Sequence, residues 1–378
     1  MREVAEIVRR ADGDDQSLAG GRLKVAVLGA TGMVGQQFIR MLRQHPWFEL
    51  SVVAASAASA GKSYGEAVGG RWAMEFPVPE EVARLRVSDA QQVDEIAAQV
   101  DVVFCAVSLD KESVAQLEHA YAAAGVWVTS NNSAYRLDAL VPMVIPAVNP
   151  QHLSAIPHQR RARGYTTGAI IVKSNCSIQS YVTALEPLRG FGIERISVHS
   201  EQAISGAGKT FDVWPEMERN VIPLIEGEER KSEIEPLKIW GEVGADGITP
   251  AAAPKIKARC VRVGVADGHT AYVAVRFKRT PTREQILERW ESHSLPDALP
   301  SAPARMLHYL NEPDRPQPRL DVMREGGMAV SLGQLKVDEE DATVYFTALA
   351  HNAILGAAGG AVWATEAAVA RGLVYRRV

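Results

Sequence analysis

Residues Lys24-Val25-Ala26-Val27-Leu28 form a short, β-branched apolar run that leads straight into Gly29-Ala30-Thr31-Gly32-Met33-Val34-Gly35, after which Phe38, Met41 and Leu42 recur at helical spacing. The pattern predicts strand, glycine turn and helix. Positions 50–55 predict a second strand, 101–107 a third, and 126–129 and 143–146 two more, with helical spacing across 113–124. Alternating strand and helix predicts a parallel, doubly wound α/β sheet. The glycines permit a tight turn and close approach of a pyrophosphate, which free N–H groups at the helix start can hold. Gly29, Gly32 and Gly35, with Thr31, Met33 and Val34 between them, are therefore candidate cofactor residues. Their spacing is G-x-x-G-x-x-G, not the commoner G-x-G-x-x-G, and an ordinary tight turn is the plain alternative.

An NAD site would usually end its second strand on a carboxylate that holds the ribose hydroxyls. Here the chain reads Ala54-Ala55-Ser56-Ala57-Ala58-Ser59-Ala60-Gly61-Lys62. Ser56, Ser59 and Lys62 can instead receive a 2′-phosphate, which favours NADP over NAD.

The second half carries a different signal. In Ala169-Ile170-Ile171-Val172-Lys173-Ser174-Asn175-Cys176-Ser177-Ile178, an apolar strand stops and an amphipathic helix is expected to begin. Cys176 stands at that helix N-terminus, where N–H groups and the helix dipole favour a nucleophilic thiolate. The alternative is an inert buried thiol. Its possible partners are spread along the chain. His269 follows Arg262-Val263-Gly264-Val265-Ala266-Asp267-Gly268 in a turn before the strand expected at 270–277, where it would titrate near neutrality. Gln202-Ala203-Ile204-Ser205-Gly206-Ala207-Gly208 is a polar, glycine-rich break suited to backbone contact with a ligand. Glu235 and Lys238 lie three apart on a helix expected over 233–240, and Arg136 follows Ser130-Asn131-Asn132-Ser133. Surface ion pairing explains the helix pair equally well.

A length of 378 residues suggests about two domains. A net charge of −4 and a pI near 6.2 give no bulk attraction for nucleic acid or an anionic membrane. Cys105, Cys176 and Cys260 are an odd, widely spaced set without a CxxC pair, which fits neither a disulfide framework nor a zinc site, so no metal and a reducing, cytoplasmic setting are expected. Positions 1–21, rich in Arg, Glu and Asp, read as a helical or frayed extension rather than a signal peptide, and no later stretch approaches a membrane span.

Taken in order, these segments resemble the aspartate-β-semialdehyde dehydrogenase family, closest to its archaeal and fungal branch, from about position 23 to 373. The resemblance rests on GATGMVG at 29–35, SAGKSYGEA at 59–67, SNCS at 174–177, QAISGAG at 202–208, EPLKI at 235–239, RVGVADGHT at 262–270, DRPQPRLD at 314–321 and HNAILGAAGG at 351–360. It implies an extension over 1–22, an NADP-binding Rossmann domain over 23–173, a central α+β catalytic and dimerisation domain over 174–350, and a C-terminal helix over 351–378 that returns to the first domain. By the same resemblance Cys176 is the nucleophile, His269 the general acid/base, Asn175 helps orient the acyl oxygen and Gln202 positions the thioester. Arg262 and Glu235 would hold the substrate's α-carboxylate and α-amino group, Arg136 and Lys238 the phosphate, and Ser205, Gly206 and Asn352 would join the cofactor site.

The implied reaction turns L-aspartyl 4-phosphate into aspartate semialdehyde and phosphate with NADPH, through a Cys thioester, toward lysine, threonine, methionine and isoleucine, in a homodimer or homotetramer. Three positions depart from the branch. Ala58 replaces a frequent arginine, Lys209-Thr210-Phe211-Asp212 replaces a Tyr-Pro-Gly run on what is expected to be the substrate side, and Leu355 replaces an arginine. A related semialdehyde dehydrogenase of a specialised pathway, a malonyl-CoA-type reductase and a non-catalytic dinucleotide-binding regulator are the alternatives.

Overall fold

The computed structural model describes residues 21–377, so the extension expected over 1–22 lies almost wholly outside them. Six strands form the first sheet: β1 (Leu23–Leu28), β2 (Phe48–Ala55), β3 (Ser88–Asp89), β4 (Val102–Cys105), β5 (Trp127–Ser130) and β6 (Ala169–Val172). All pair in parallel in the order β3-β2-β1-β4-β5-β6, so the strand order reverses beside β1. Ligands of such sheets bind at the carboxyl ends of the strands near that reversal. Every residue of β4, β5 and β6 is buried, as expected where helices cover both faces. Helix α1 (Met33–Leu42) buries Phe38, Ile39 and Leu42 against the sheet, and α2 (Lys111–Ala123) starts on an Asp110 cap.

The strand expected over 143–146 is not formed. Only Met143 bridges to Val172, because the side chain of Asn149 takes the Ile145 N–H at 2.8 Å and donates to the Met143 carbonyl at 2.8 Å in place of a ladder. The backbone is satisfied without a neighbour strand.

After β6 the chain enters α3 (Gln179–Leu185), whose seven residues are all buried, so the amphipathic helix expected after Cys176 is a core helix instead. It packs on a seven-stranded mixed sheet built from β7 (Ile193–Gln202), β8 (Val221–Ile222), β11 (Lys255–Val263), β12 (His269–Phe277), β13 (Leu307–Tyr309), β14 (Val330–Asp338) and β15 (Thr343–Ala350). Its order is β13-β14-β15-β12-β7-β11-β8. Strands β9 (Glu242–Gly244) and β10 (Gly247–Thr249) make a separate ribbon after helix α4 (Glu228–Ile239).

The chain then returns to the first sheet through a π-helical turn, Ile354–Ala358, and helix α5 (Gly359–Val369), which is buried on every side. Thr365 bonds Thr129 at 2.7 Å and Glu366 bonds His45 at 2.7 Å, locking α5 to β5 and to the turn after α1. The tail closes on the same domain, where Asp101 accepts the Arg377 and Lys24 N–H groups at 2.5 and 2.8 Å.

Candidate active site

A cleft runs between the two sheets. On one side is the turn Gly29–Gly35, where Gly29 has φ of 81° and a Cβ would meet the Ala106 carbonyl oxygen at 2.3 Å. A Cβ at Gly35 would stand 2.2 Å from the Gly29 oxygen. Both positions require glycine so that strand, turn and helix can pack. Gly32 differs, because it is exposed, a Cβ there would make only ordinary contact with the Gly29 oxygen at 3.4 Å, and it caps α1 with no side-chain bond. The first N–H groups of α1, at Met33 and Val34, are thereby left for an anion.

Gln36 braces this turn through the Thr31 and Arg71 carbonyls at 3.1 and 2.9 Å, and Tyr64 ties it at 2.9 Å from Ala30 to the loop that follows β2. In that loop Ser56 and Lys62 are exposed, Ser59 is half-buried, and Lys62 donates to the Ala58 carbonyl at 2.9 Å. Two ammonium protons stay available to a phosphate.

Across the cleft stand Ser205, Asp267 and His351, with Met33, Gln37 and Arg40 of α1 opposite. Asn352 fastens this side by accepting from the Gly268 N–H at 2.8 Å and donating to Ser205 Oγ at 2.9 Å. Lys209, Thr210 and Phe211 line the same cleft beside Met33, so the segment expected on the substrate side borders the cofactor side. Leu355 is fully buried in the π-turn and presents nothing to a ligand.

Three strand ends meet below. In sheet register Gln202 of β7 pairs with His269 of β12 and with Arg262 of β11, so these side chains stand in one row. His269 Nε2 lies 3.4 Å from Cys176 Sγ. Its Nδ1 accepts the Ala203 N–H at 3.1 Å, which leaves the neutral ring's proton on Nε2, facing sulfur. His269 begins β12 rather than sitting in a turn, and burial, reinforced by Arg262, pulls it down to about 3 instead of near neutrality. Arg262 donates to the Ala203 carbonyl at 2.7 Å, and Gly206 leaves room here, since a Cβ would come within 2.7 Å of that guanidinium and 2.8 Å of the His269 ring.

Cys176 opens a three-residue 3₁₀ turn, Cys176–Ile178, that runs into α3. Burial, with Glu228 adding, pushes its thiol up to about 11, while Arg136, Lys173 and Arg262 pull the other way. The helix start alone therefore does not yield the thiolate expected from the sequence. Asn175 is committed as a bracket: Oδ1 accepts from the Ser177 N–H at 2.8 Å and its hydroxyl at 2.7 Å, and Nδ2 donates to both Glu228 oxygens at 3.0 and 2.9 Å. Gly356 backs the nucleophile, for a Cβ there would lie 2.9 Å from that of Cys176.

Helix α4 begins five residues before the 233–240 span, and the extra turn matters. Glu228, buried, reaches Asn175, Gln202 Nε2 at 3.4 Å and Lys231 Nζ at 2.7 Å. Glu235 lies deeper, where its oxygens take Arg136 Nη1 at 3.0 Å and the Asn175 N–H at 2.6 Å. Lys238 gives its three protons to the Arg136, Asp138 and Val141 carbonyls at 2.8, 2.6 and 2.7 Å. Lys238, expected to hold phosphate, thus has its three protons on backbone carbonyls, and Glu235, expected to hold an amino group, is paired with Arg136. Glu228 and Lys231 repeat their spacing two turns earlier, where the Lys231 side chain is partly exposed. A signal was in the sequence: Gly227 followed by Glu228 and Glu229 marks an acidic first turn. Arg136 also donates to the Asn131 carbonyl at 2.8 Å, yet its buried Nε has no partner among the described residues.

A nucleotide-type sheet with an uncapped glycine turn, joined to a thiol and an imidazole at the end of a second sheet, defines an enzyme of acyl and hydride chemistry. Comparison with known proteins names the family. The description "Semialdehyde dehydrogenase, NAD binding domain" matches residues 24–156, and "Semialdehyde dehydrogenase, dimerisation domain" matches 185–355. The chain is 42% identical to the aspartate-semialdehyde dehydrogenase of Archaeoglobus fulgidus, over 91% of this chain and 97% of that one. It is 39% identical to that of Aspergillus fumigatus over 93% and 98%. The crystal structure of the Candida albicans aspartate-semialdehyde dehydrogenase with NADP matches with a TM-score of 0.82 at 34% identity, covering 93% of this chain and 100% of that one. The chain belongs to the aspartate-semialdehyde dehydrogenase family.

Proposed function

We propose that the protein is an NADP-dependent aspartate-semialdehyde dehydrogenase, and that it reduces L-aspartyl 4-phosphate to aspartate semialdehyde with release of phosphate. The observation that carries this is the 3.4 Å approach of His269 Nε2 to Cys176 Sγ, with His269 against Ala203 and Gly206, the neighbours of Ile204 and Ser205 that line the cleft opposite the start of α1. The residues present fit the cofactor: Gly32 and the start of α1 for a pyrophosphate, Ser56, Ser59 and Lys62 for a ribose phosphate, and Ser205 with Asn352 on the far side. When bound, NADPH supplies the hydride.

The chain's own residues do the rest. Cys176 sulfur attacks the acyl carbon, the carbon–oxygen bond to phosphate breaks, and a thioester remains. After hydride addition, the Nε2–H of His269 donates a hydrogen bond to the thiohemiacetal oxyanion. Collapse of that oxyanion re-forms the carbonyl, breaks the carbon–sulfur bond, frees the aldehyde and regenerates the thiolate. Gln202 and the bracketed Asn175 turn hold the acyl group, and Arg262 offers a planar fork for the α-carboxylate. The α-amino group is assigned to Glu228, and the phosphate to Lys231 and the free Nε of Arg136. The reading includes a homodimer or homotetramer, supported by the open face of the second sheet, where Tyr272 and Tyr345 remain 46% and 38% exposed. No helix among the described residues is long and apolar enough to cross a membrane, and a cytoplasmic setting belongs to the same reading.

The test is reduction of NADP by aspartate semialdehyde with phosphate, with coenzyme A as the competing acceptor. Phosphate dependence is the expected outcome, whereas dependence on coenzyme A overturns the reading in favour of a thioester reductase. Cys176→Ser is expected to lose at least about a thousandfold in turnover while nucleotide binding persists.

A further inference from the structure

Lys173 lies three residues before the nucleophile and takes no part in the chemistry above. It is fully enclosed, and its ammonium meets neutral atoms, donating to Gln179 Oε1 and to Ser174 Oγ at 3.5 Å. No ion pair joins it to a carboxylate among the described residues. A lone buried cation is driven toward loss of its proton unless an anion stands close by.

The return segment sets where that anion arises. A Cβ at Gly356 would stand 2.9 Å from Cys176 Cβ, and a Cβ at Gly360 would stand 2.5 Å from Lys173 Cε. The two glycines are four residues apart, so they share a helical face with a rise of about 6 Å between them. Thiol and ammonium therefore rest side by side on one glycine strip. We propose that Lys173 is the counter-cation of the Cys176 thiolate, a positioning residue that sets nucleophile charge from beneath without touching substrate.

Three observations support it. His269 presents Nε2–H rather than a lone pair to sulfur, so in this tautomer it steadies a thiolate but does not take the thiol's proton. The charged groups around sulfur are Glu228 of α4, which opposes ionisation, and Arg136, Lys173 and Arg262, which favour it. Arg136 is already neutralised by Glu235, and Arg262 is the cation the function assigns to a substrate carboxylate, so Lys173 is left uncommitted. Burial, with Arg136 adding, pulls the lysine down to about 7, and Cys176 and Glu235 act in the opposite direction. Lysine and thiol thus form a coupled pair whose ionised form is ammonium with thiolate.

The proposal rests on Cys176 as the nucleophile, and its test is separable from that assignment. The full-length protein is alkylated with iodoacetamide from about pH 6 to about pH 10, with Cys176→Ser as background for Cys105 and Cys260. Lys173→Met is expected to slow Cys176 alkylation about tenfold at each pH across this range, the mark of a thiol pKa raised by about one unit, and to lower kcat with little change in KM. A folded Lys173→Met protein, judged by melting and nucleotide binding, that alkylates along the wild-type curve overturns the proposal. Where Lys173→Met fails to fold, Gln179→Glu decides, because it gives the lysine a carboxylate. The same upward shift supports the proposal, and an unmoved curve overturns it. The nucleophile assignment is judged independently, by turnover of Cys176→Ser.

Discussion

Helix α4 presents a glutamate and a lysine three residues apart at each of two levels, and the two levels behave differently. At its start, Glu228 and Lys231 face the nucleophile turn, with the Lys231 side chain 36% exposed. Seven residues on, Glu235 and Lys238 are sealed in, one against Arg136 and the Asn175 backbone, the other against three carbonyls. Seven residues return to nearly the same helix face, with a drift of about 20°. Spacing therefore puts both pairs on one side and leaves depth undetermined. Depth separates the two: the outer pair braces Asn175 and Gln202 beside the nucleophile with Lys231 partly open to solvent, while the inner pair holds Arg136 and the loop beneath.

This contrast breaks most sharply at the acids. Glu235→Gln leaves the buried Arg136 charge without its partner and is expected to cost about 3–5 kcal/mol of stability, read by denaturant unfolding. Glu228→Gln, which keeps the side chain's size and leaves only the partly exposed Lys231 without its partner, is expected to cost less, about 1–2 kcal/mol, and to lower kcat/KM for the semialdehyde about a hundredfold. Equal stability losses in both variants would erase the distinction. A smaller separation is expected at the lysines. Lys238→Met strands three carbonyls and should cost about 1–3 kcal/mol, while Lys231→Met should raise KM for phosphate about tenfold and barely move the melting point. A raised phosphate KM in a folded Lys238→Met enzyme would return that residue to the ligand site.

The smallest effect near neutrality comes from His269. Its folded pKa of about 3 lies below the ordinary 6.5, so between those values the unfolded chain binds a proton that the folded chain refuses. Stability is therefore full above about pH 6.5 and falls on acidification toward pH 3, by up to about 1.36 kcal/mol per pH unit. His269→Asn should shed one proton from the slope of stability against pH below 6. An unchanged slope would mean that the folded ring titrates normally.

Much of the first sheet was legible because its strands are short, β-branched and separated by glycine turns, and local pattern dictates such elements. Positions 143–146 carry the same apolar signature and form no strand, since Asn149, outside the run, takes over their backbone bonds. The start of α4 was marked by Gly227 and two glutamates, but the charged surface pattern drew the helix five residues short. Lys173 and Gly356 left no chemical trace in the sequence: a lysine beside a strand looks solvated, and a glycine in an apolar helix looks like packing.

The sequence by itself determined the glycine turn, the alternation of strand and helix in the first sheet, and the identities of thiol, imidazole and guanidinium, because each depends on local steric preference or on side-chain chemistry. Only the tertiary structure decided which charges face ligand and which face backbone, that His269 is held neutral with its proton toward sulfur, and that a lysine shares a glycine strip with the nucleophile. Those outcomes depend on burial and on hydrogen bonds between residues tens to hundreds of positions apart. Desolvation acts through the packed surroundings of a group, and no stretch of sequence states what those surroundings will be.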